Sequence, residues 1–232
     1  MLSRELRLLF VGCAILFAAA FFVMGMEEES WFQMILNYQT PSWLATNQQG
    51  EANLHNFASD RFNIIYYASA FLFLILIPFV NDRTRLFKNF ERLSFFIPSR
   101  SVIFISAIFP CMFYTHWASP SAQLCFFMTL FILCYYQFQI SRGAIEPGIH
   151  KYWLPLLIVV CVLSQAFVLI QGPTVVSWNA IEFFHKTSET VLRTKRLEFG
   201  WDVAEYREFF MPFAYAVYSI EMFKKSRSLV GR

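Results

Sequence analysis

Residues 101–140 contain no Asp, Glu, Lys or Arg, and His116 is their one group that titrates near neutral pH. About 18 to 20 apolar residues, rising about 1.5 Å each, cross a hydrocarbon core roughly 30 Å thick. Forty such residues make two crossings. The dividing point is visible. Trp117-Ala118-Ser119-Pro120-Ser121 is a small, polar, proline-containing break with an interfacial aromatic. The stretch reads as a tight helical hairpin, and a chain organised around it is expected to be all-α and polytopic in a membrane.

Composition agrees. Hydrophobic residues make up 57% of the 232 residues, against about 45–50% in a soluble domain. We expect a single transmembrane domain over 1–232, with six spans near 8–26, 63–80, 101–118, 121–140, 152–171 and 203–223. Pro110 falls inside the third and is expected to kink it, since proline removes a helical hydrogen bond. The sixth is the weakest, because only residues 209–220 of it are free of charge, so a five-span chain is the alternative. Arg4 and Arg7 before an apolar run resemble a signal peptide. Met24-Gly25-Met26-Glu27 is a poor cleavage site, however, and the run reads as a retained first helix.

Between the spans lie segments suited to the interface. Asn81–Arg100 carries Arg83, Arg85, Lys88, Arg92 and Arg100 against Asp82 and Glu91. Its Leu86, Phe87, Phe90, Leu93 and Phe96 recur close to helical spacing. It reads either as an amphipathic basic segment lying on anionic lipid, with Arg83, Arg85, Lys88 and Arg92 on headgroups, or as a solvated connector. Ser30–Asn37, with Trp31 and Ile35 at i and i+4, reads as a short interfacial helix, and Thr174–Leu197 as another.

Placing the N-terminus inside puts 13 of the 19 Lys and Arg on the inner side. Inner loops are the ones that gather positive charge, so both termini are expected to be cytoplasmic or on an equivalent inner side. A bacterial inner membrane and a eukaryotic internal membrane fit equally.

Candidate chemistry is sparse. His55, His116 and His185 fall on the expected outer side, but no two have ligand spacing on one helix, and no metal site is expected. The five cysteines form no CxxC pair; they read as buried free thiols rather than a disulfide framework. Asp202, Glu205 and Glu208 recur at i, i+3 and i+6, an acidic stripe at the edge of the sixth span beside Arg207. It suits a cation-handling mouth, a docking surface for a basic partner, or a frayed helix start that favours negative charge. Gln165 in the fifth span suits a hydrogen bond to a neighbouring helix. The chain shows no G-x-S-x-G, HExxH, GxGxxG or phosphate-cradling loop. Its 29 phenylalanines point to several faces of their helices.

The expected role is a non-catalytic integral subunit of a larger membrane complex, whose partners are membrane lipids and other integral subunits, with no nucleic acid. A small channel or carrier with its acidic entrance on the last helix is one alternative, and a lipid-modifying enzyme using His116 and His185 another. No cofactor is assigned.

Overall fold

The computed structural model describes residues 4–28, 30–44, 46, 52–54, 57, 59–112, 120–145, 150–171 and 209–227, and every regular element among them is helical. The chain divides into two compact units, Met1–Ile65 with Ser226–Arg232, and Tyr66–Lys225.

In the first unit, α1 (Arg4–Glu28) is a 25-residue helix built largely of Leu, Ala, Val and Phe, with no β-branched run to weaken it. It carries apolar side chains all round rather than on one stripe, and Leu8, Ile15, Leu16 and Phe22 are all exposed. After it the backbone turns sharply. Ser30, Trp31 and Phe32 take left-handed φ values of 45, 54 and 63°, a conformation that costs roughly 1–2 kcal/mol per side-chain-bearing residue. Side chains hold the turn. Trp31 Nε1 donates to Glu27 Oε1 at 2.8 Å, and Tyr38 donates its hydroxyl to the carbonyls of Ser30 and Trp31 at 3.1 and 3.2 Å. Asn53 Nδ2 donates to the Ser30 hydroxyl, and the Leu54 amide to Glu27 Oε2. The expected interfacial helix is thus cut to α2 (Gln33–Leu36) behind a left-handed turn.

The second unit, from Tyr66 to Lys225, packs helices side by side. Helix α3 (Ser59–Phe71), which it takes in only from Tyr66 on, runs through a π-helical stretch, Leu72–Leu76, into α4 (Ile77–Thr84). The widened turn has a cause in Pro78, which has no N–H and whose ring crowds the carbonyl four residues back. The Ile77 amide reaches back five residues to the Leu72 carbonyl, and the strain is absorbed there. Helical residues therefore extend over 59–84, beyond both limits of the expected second span.

The expected third span is broken where the proline falls. Helix α6 (Arg100–Ser106) gives way to a 3₁₀ turn, Phe109–Cys111, containing Pro110. Helices α7 (Pro120–Ser141) and α8 (His150–Gln171) match the fourth and fifth spans closely, and α9 covers 209–227. The core between these helices is aromatic. Phe79 meets Phe131, Tyr135 and Tyr136 nearly edge-on, with centroids 6.3, 5.5 and 5.8 Å away. Phe104 meets Tyr136 edge-on at 5.4 Å, and Phe73 meets Tyr218 at 5.2 Å. Such offset geometries add about 0.5–1.5 kcal/mol each beyond burial.

Asn81–Arg100 is not a continuous amphipathic helix. Between Thr84 and the start of α6 at Arg100, only α5 (Glu91–Ser94) is helical. Arg85 takes φ 53° and its amide closes α4 on the Asn81 carbonyl, while Asn81 Oδ1 takes the Phe87 amide at 3.0 Å. An Asn side chain that captures a nearby amide offers the backbone a turn in place of a further helical residue. The helical spacing of the apolar residues there loses to that local competition.

Candidate functional site

The last turn of α4 brings Asp82 against the first residue of α6. Arg100 Nε donates to Asp82 Oδ2 at 3.0 Å and Arg100 Nη2 to Oδ1 at 2.8 Å, a two-pronged pair. Tyr136 of α7 donates its hydroxyl to Asp82 Oδ2 at 3.1 Å, and the guanidinium lies 5.7 Å from the Tyr136 ring centre. These hydrogen bonds to Asp82, outweighing the cost of partial burial, raise the Arg100 pKa above its ordinary value. The group stays cationic at any pH the protein meets. Three helices are thus fastened by one carboxylate.

Beside this cluster α9 grips the strand of chain that leads into α6. Tyr218 donates its hydroxyl to the Phe96 carbonyl at 2.7 Å, and Lys225 Nζ donates to the Ile97 carbonyl at 3.0 Å. Glu221 accepts the Ser99 amide with both oxygens, at 3.2 and 3.3 Å, and pairs with Lys225 at 2.6 Å. Ser99 is the N-cap of α6 and makes no side-chain cap of its own. A carboxylate from another helix takes that place, where the helix dipole favours negative charge.

Two more cations at this end fold onto rings. The Arg83 guanidinium lies 4.9 Å from the Tyr135 ring centre, and that of Arg142 4.6 Å from Phe138. Arg85 and Lys88 are exposed, as are Leu86, Phe90 and Leu93 on the same stretch. The side chain of Arg92 lies outside the described residues.

Gln165, expected as a helix–helix contact, is buried in α8 at 1% exposure. Asp202, Glu205, Arg207 and Glu208 lie outside the described residues, as do His55, His116, His185 and all of Thr174–Leu197. The acidic stripe therefore remains a reading of the sequence.

Between α6, α8 and α9 opens an apolar cleft of about 380 Å³, walled by Phe104, Ile108, Trp153, Leu157, Val160 and Phe213. Among the described residues, no three His, Cys, Asp or Glu gather as metal ligands would. At the charged end Asp82 is engaged by Arg100 and Tyr136, and Glu221 by Lys225 and the Ser99 amide.

The sequence reading missed Tyr136, Tyr218 and Glu221 as participants. A signal existed for Asp82, an acid at the exit of an apolar run among five cations. None existed for its distant partners, because a tyrosine late in an apolar helix also suits an interfacial belt.

The chain is an all-helical protein in its described residues, and three of its helices are candidate membrane spans by length and composition: Arg7–Glu27, Ile64–Thr84 and Pro120–Ser141. No family model, curated protein or solved structure matches it.

Proposed function

We propose that this chain is a non-catalytic integral membrane subunit of a larger assembly, holding lipids and partner helices against its apolar faces. The observation that carries the reading is α1. Its window Arg7–Glu27 has mean hydropathy 2.6 and is 0% buried. A helix that is apolar all round and unburied among the described residues is stable in lipid or against other helices. Its apolar surface would be an aggregation hazard in water.

The second unit supports the same reading. Tyr152, Trp153, Leu163 and Phe167 of α8 are exposed, as are Phe209, Phe213 and Ile220 of α9, while the polar side chains at the charged end turn to one another. The exit of α4, the entrance of α6, late α7 and late α9 meet at that end through Asp82, Arg100, Tyr136 and Tyr218. This favours the layout in which those ends, with both termini, lie on the inner side. The exposed Arg85 and Lys88 then face anionic headgroups.

Gentle extraction followed by native mass spectrometry tests the role. The expected particle contains this chain with other integral subunits and retained lipid. Recovery as a lone, lipid-stripped monomer that stays monodisperse would overturn it.

A further inference from the structure

Two of the five cysteines reach the same backbone carbonyl. Cys111 closes the 3₁₀ turn after α6, Cys161 lies midway along α8, and both are buried at 0% and 1% exposure. The Cys111 Sγ donates to the Ala107 carbonyl at 3.1 Å and the Cys161 Sγ donates to the same oxygen at 3.6 Å. The two sulfurs thus converge on one acceptor.

Pro110 explains the convergence. In a 3₁₀ turn the Ala107 carbonyl would take the amide three residues on, and residue 110 has none. The amide of Cys111, which an α-helix would send to Ala107, goes to Ile108 at 3.0 Å instead. A carbonyl freed in an apolar interior is costly unless a donor reaches it. The two thiols are the donors that do.

We propose that Cys111 and Cys161 form a modification site, a dithiol that hydrogen peroxide converts to a disulfide bridging α8 and the end of α6. Peroxide is small and carries no formal charge, so it enters a closed site without the cost of desolvating an ion. One sulfur, giving up its proton, attacks the peroxide O–O bond, which breaks. The sulfur keeps one oxygen as a sulfenic acid, and the other leaves with that proton as water. The second sulfur then attacks the sulfenic sulfur; the S–S bond forms, the S–O bond breaks, and a second water carries off the remaining proton. Two thiols lose two electrons and two protons, and one peroxide becomes two waters.

The bridge has a structural consequence that follows from the same oxygen. Oxidation removes both S–H donors from the Ala107 carbonyl while tying the break at Pro110 to α8. The proline-broken end of α6 thereby acquires an oxidised form with a different hydrogen-bond pattern. Cys134, exposed on α7, supplies an internal control for access.

The test uses the full chain in membrane vesicles exposed to graded hydrogen peroxide, then alkylated, digested and mapped by mass spectrometry without reduction. The expected result is a linked Cys111–Cys161 peptide pair that grows with dose, disappears on phosphine reduction, and removes two of the five alkylatable thiols. In Cys111→Ser, which keeps a hydroxyl for the Ala107 carbonyl, Cys161 should instead be trapped by dimedone as the sulfenic acid. The wild-type map decides even if that variant folds poorly. Recovery of Cys111 and Cys161 as unlinked thiols at every dose, or their linkage to Cys134 instead, overturns the proposal.

Discussion

Arg100 and Asp82, 18 residues apart, are joined by two hydrogen bonds of 3.0 and 2.8 Å, and the carboxylate so held also accepts the Tyr136 hydroxyl at 3.1 Å. The Arg100 side chain is 42% exposed and that of Asp82 25%, so solvent screens the pair. Its Coulomb share is of the order of an exposed pair, about 0.2–1 kcal/mol. The value of the cluster lies in its convergence: one carboxylate serves α4, α6 and α7.

The cluster should therefore fail unevenly. Asp82→Ala strips Arg100 and Tyr136 together and is expected to cost about 1–3 kcal/mol. Tyr136→Phe removes one neutral donor and should cost about 1 kcal/mol. Arg100→Lys should fall between wild type and Arg100→Ala, since an ammonium cannot reproduce the planar two-pronged grip. Thermal unfolding in a mild detergent ranks the four variants. A loss for Tyr136→Phe equal to that of Asp82→Ala would contradict the convergence.

The grip of α9 on the chain entering α6 predicts a local rather than a global effect. Glu221→Ala leaves the Ser99 amide and Lys225 without their shared carboxylate, and Tyr218→Phe releases the Phe96 carbonyl. Losing the partner of a helix N-terminus costs about 1 kcal/mol, which is roughly a fivefold change in local opening. Hydrogen exchange at residues 95–99 should accelerate by about that factor in Glu221→Ala, with α7 unaffected. Uniform acceleration across the second unit would mean that the contact secures the whole bundle instead.

Much of this architecture was legible in the chain because apolar length is a strong signal. The bounds of α7 and α8 follow the charge-free runs closely, and Pro110 marked the break in the third span. What could not be read was which polar groups would meet. Asp82 finds Tyr136 at 54 residues' separation and Glu221 finds Ser99 at 122; periodicity carries no information about such pairings. The apolar spacing in Asn81–Arg100 misled for a different reason. Capture of the Phe87 amide by Asn81 and the left-handed Arg85 decide locally, against a pattern that spacing alone favours. The thiols of Cys111 and Cys161 were legible as buried, yet Cys134 faces outward, since an apolar helix does not announce which of its faces is covered.

The exposed surface of α1 yields a direct test of the membrane reading. Ile15 and Leu16, at 64% and 69% exposure, lie near the centre of Arg7–Glu27. On a water-facing surface a change to Arg would alter stability by about 0.5 kcal/mol or less. At the centre of a span each Arg costs about 2.5–3.5 kcal/mol of insertion free energy. The double variant Ile15→Arg/Leu16→Arg is expected to drop markedly in the membrane fraction, measured by carbonate extraction. Unchanged fractionation would remove the main support for the proposed role.

Gln165 separates a scaffold from a carrier. Hydrogen bonds between membrane helices contribute about 0.6–2 kcal/mol, so Gln165→Leu, close in volume, should shift unfolding by about 1 kcal/mol and leave assembly intact. Gln165→Glu would place an ionisable group at a site of 1% exposure, and should be the worse of the two. Ion or solute flux through liposomes holding the pure chain, abolished by Gln165→Leu, would favour the carrier reading over the scaffold.

Arg85 sits where two demands conflict, and this gives the sharpest separation of lipid contact from folding. Its φ of 53° closes α4 through the bond of its amide to the Asn81 carbonyl, a position where glycine bears no Cβ penalty. Its side chain is exposed beside that of Lys88, and each cation near an anionic surface contributes about 1 kcal/mol of attraction. Arg85→Gly should therefore unfold later, gaining up to about 1 kcal/mol, while binding anionic vesicles roughly fivefold more weakly at moderate salt. Lys88→Gln should lose the same affinity with no change in unfolding. Arg83→Ala should do the reverse: its guanidinium is spent on the Tyr135 ring at 4.9 Å, an exposed contact of about 0.5–1 kcal/mol. Comparing unfolding temperature with vesicle co-sedimentation across the three variants checks all of this at once. If Arg85→Gly and Lys88→Gln bind neutral and anionic vesicles alike, and no differently from wild type, Arg85 and Lys88 face water and the headgroup assignment falls.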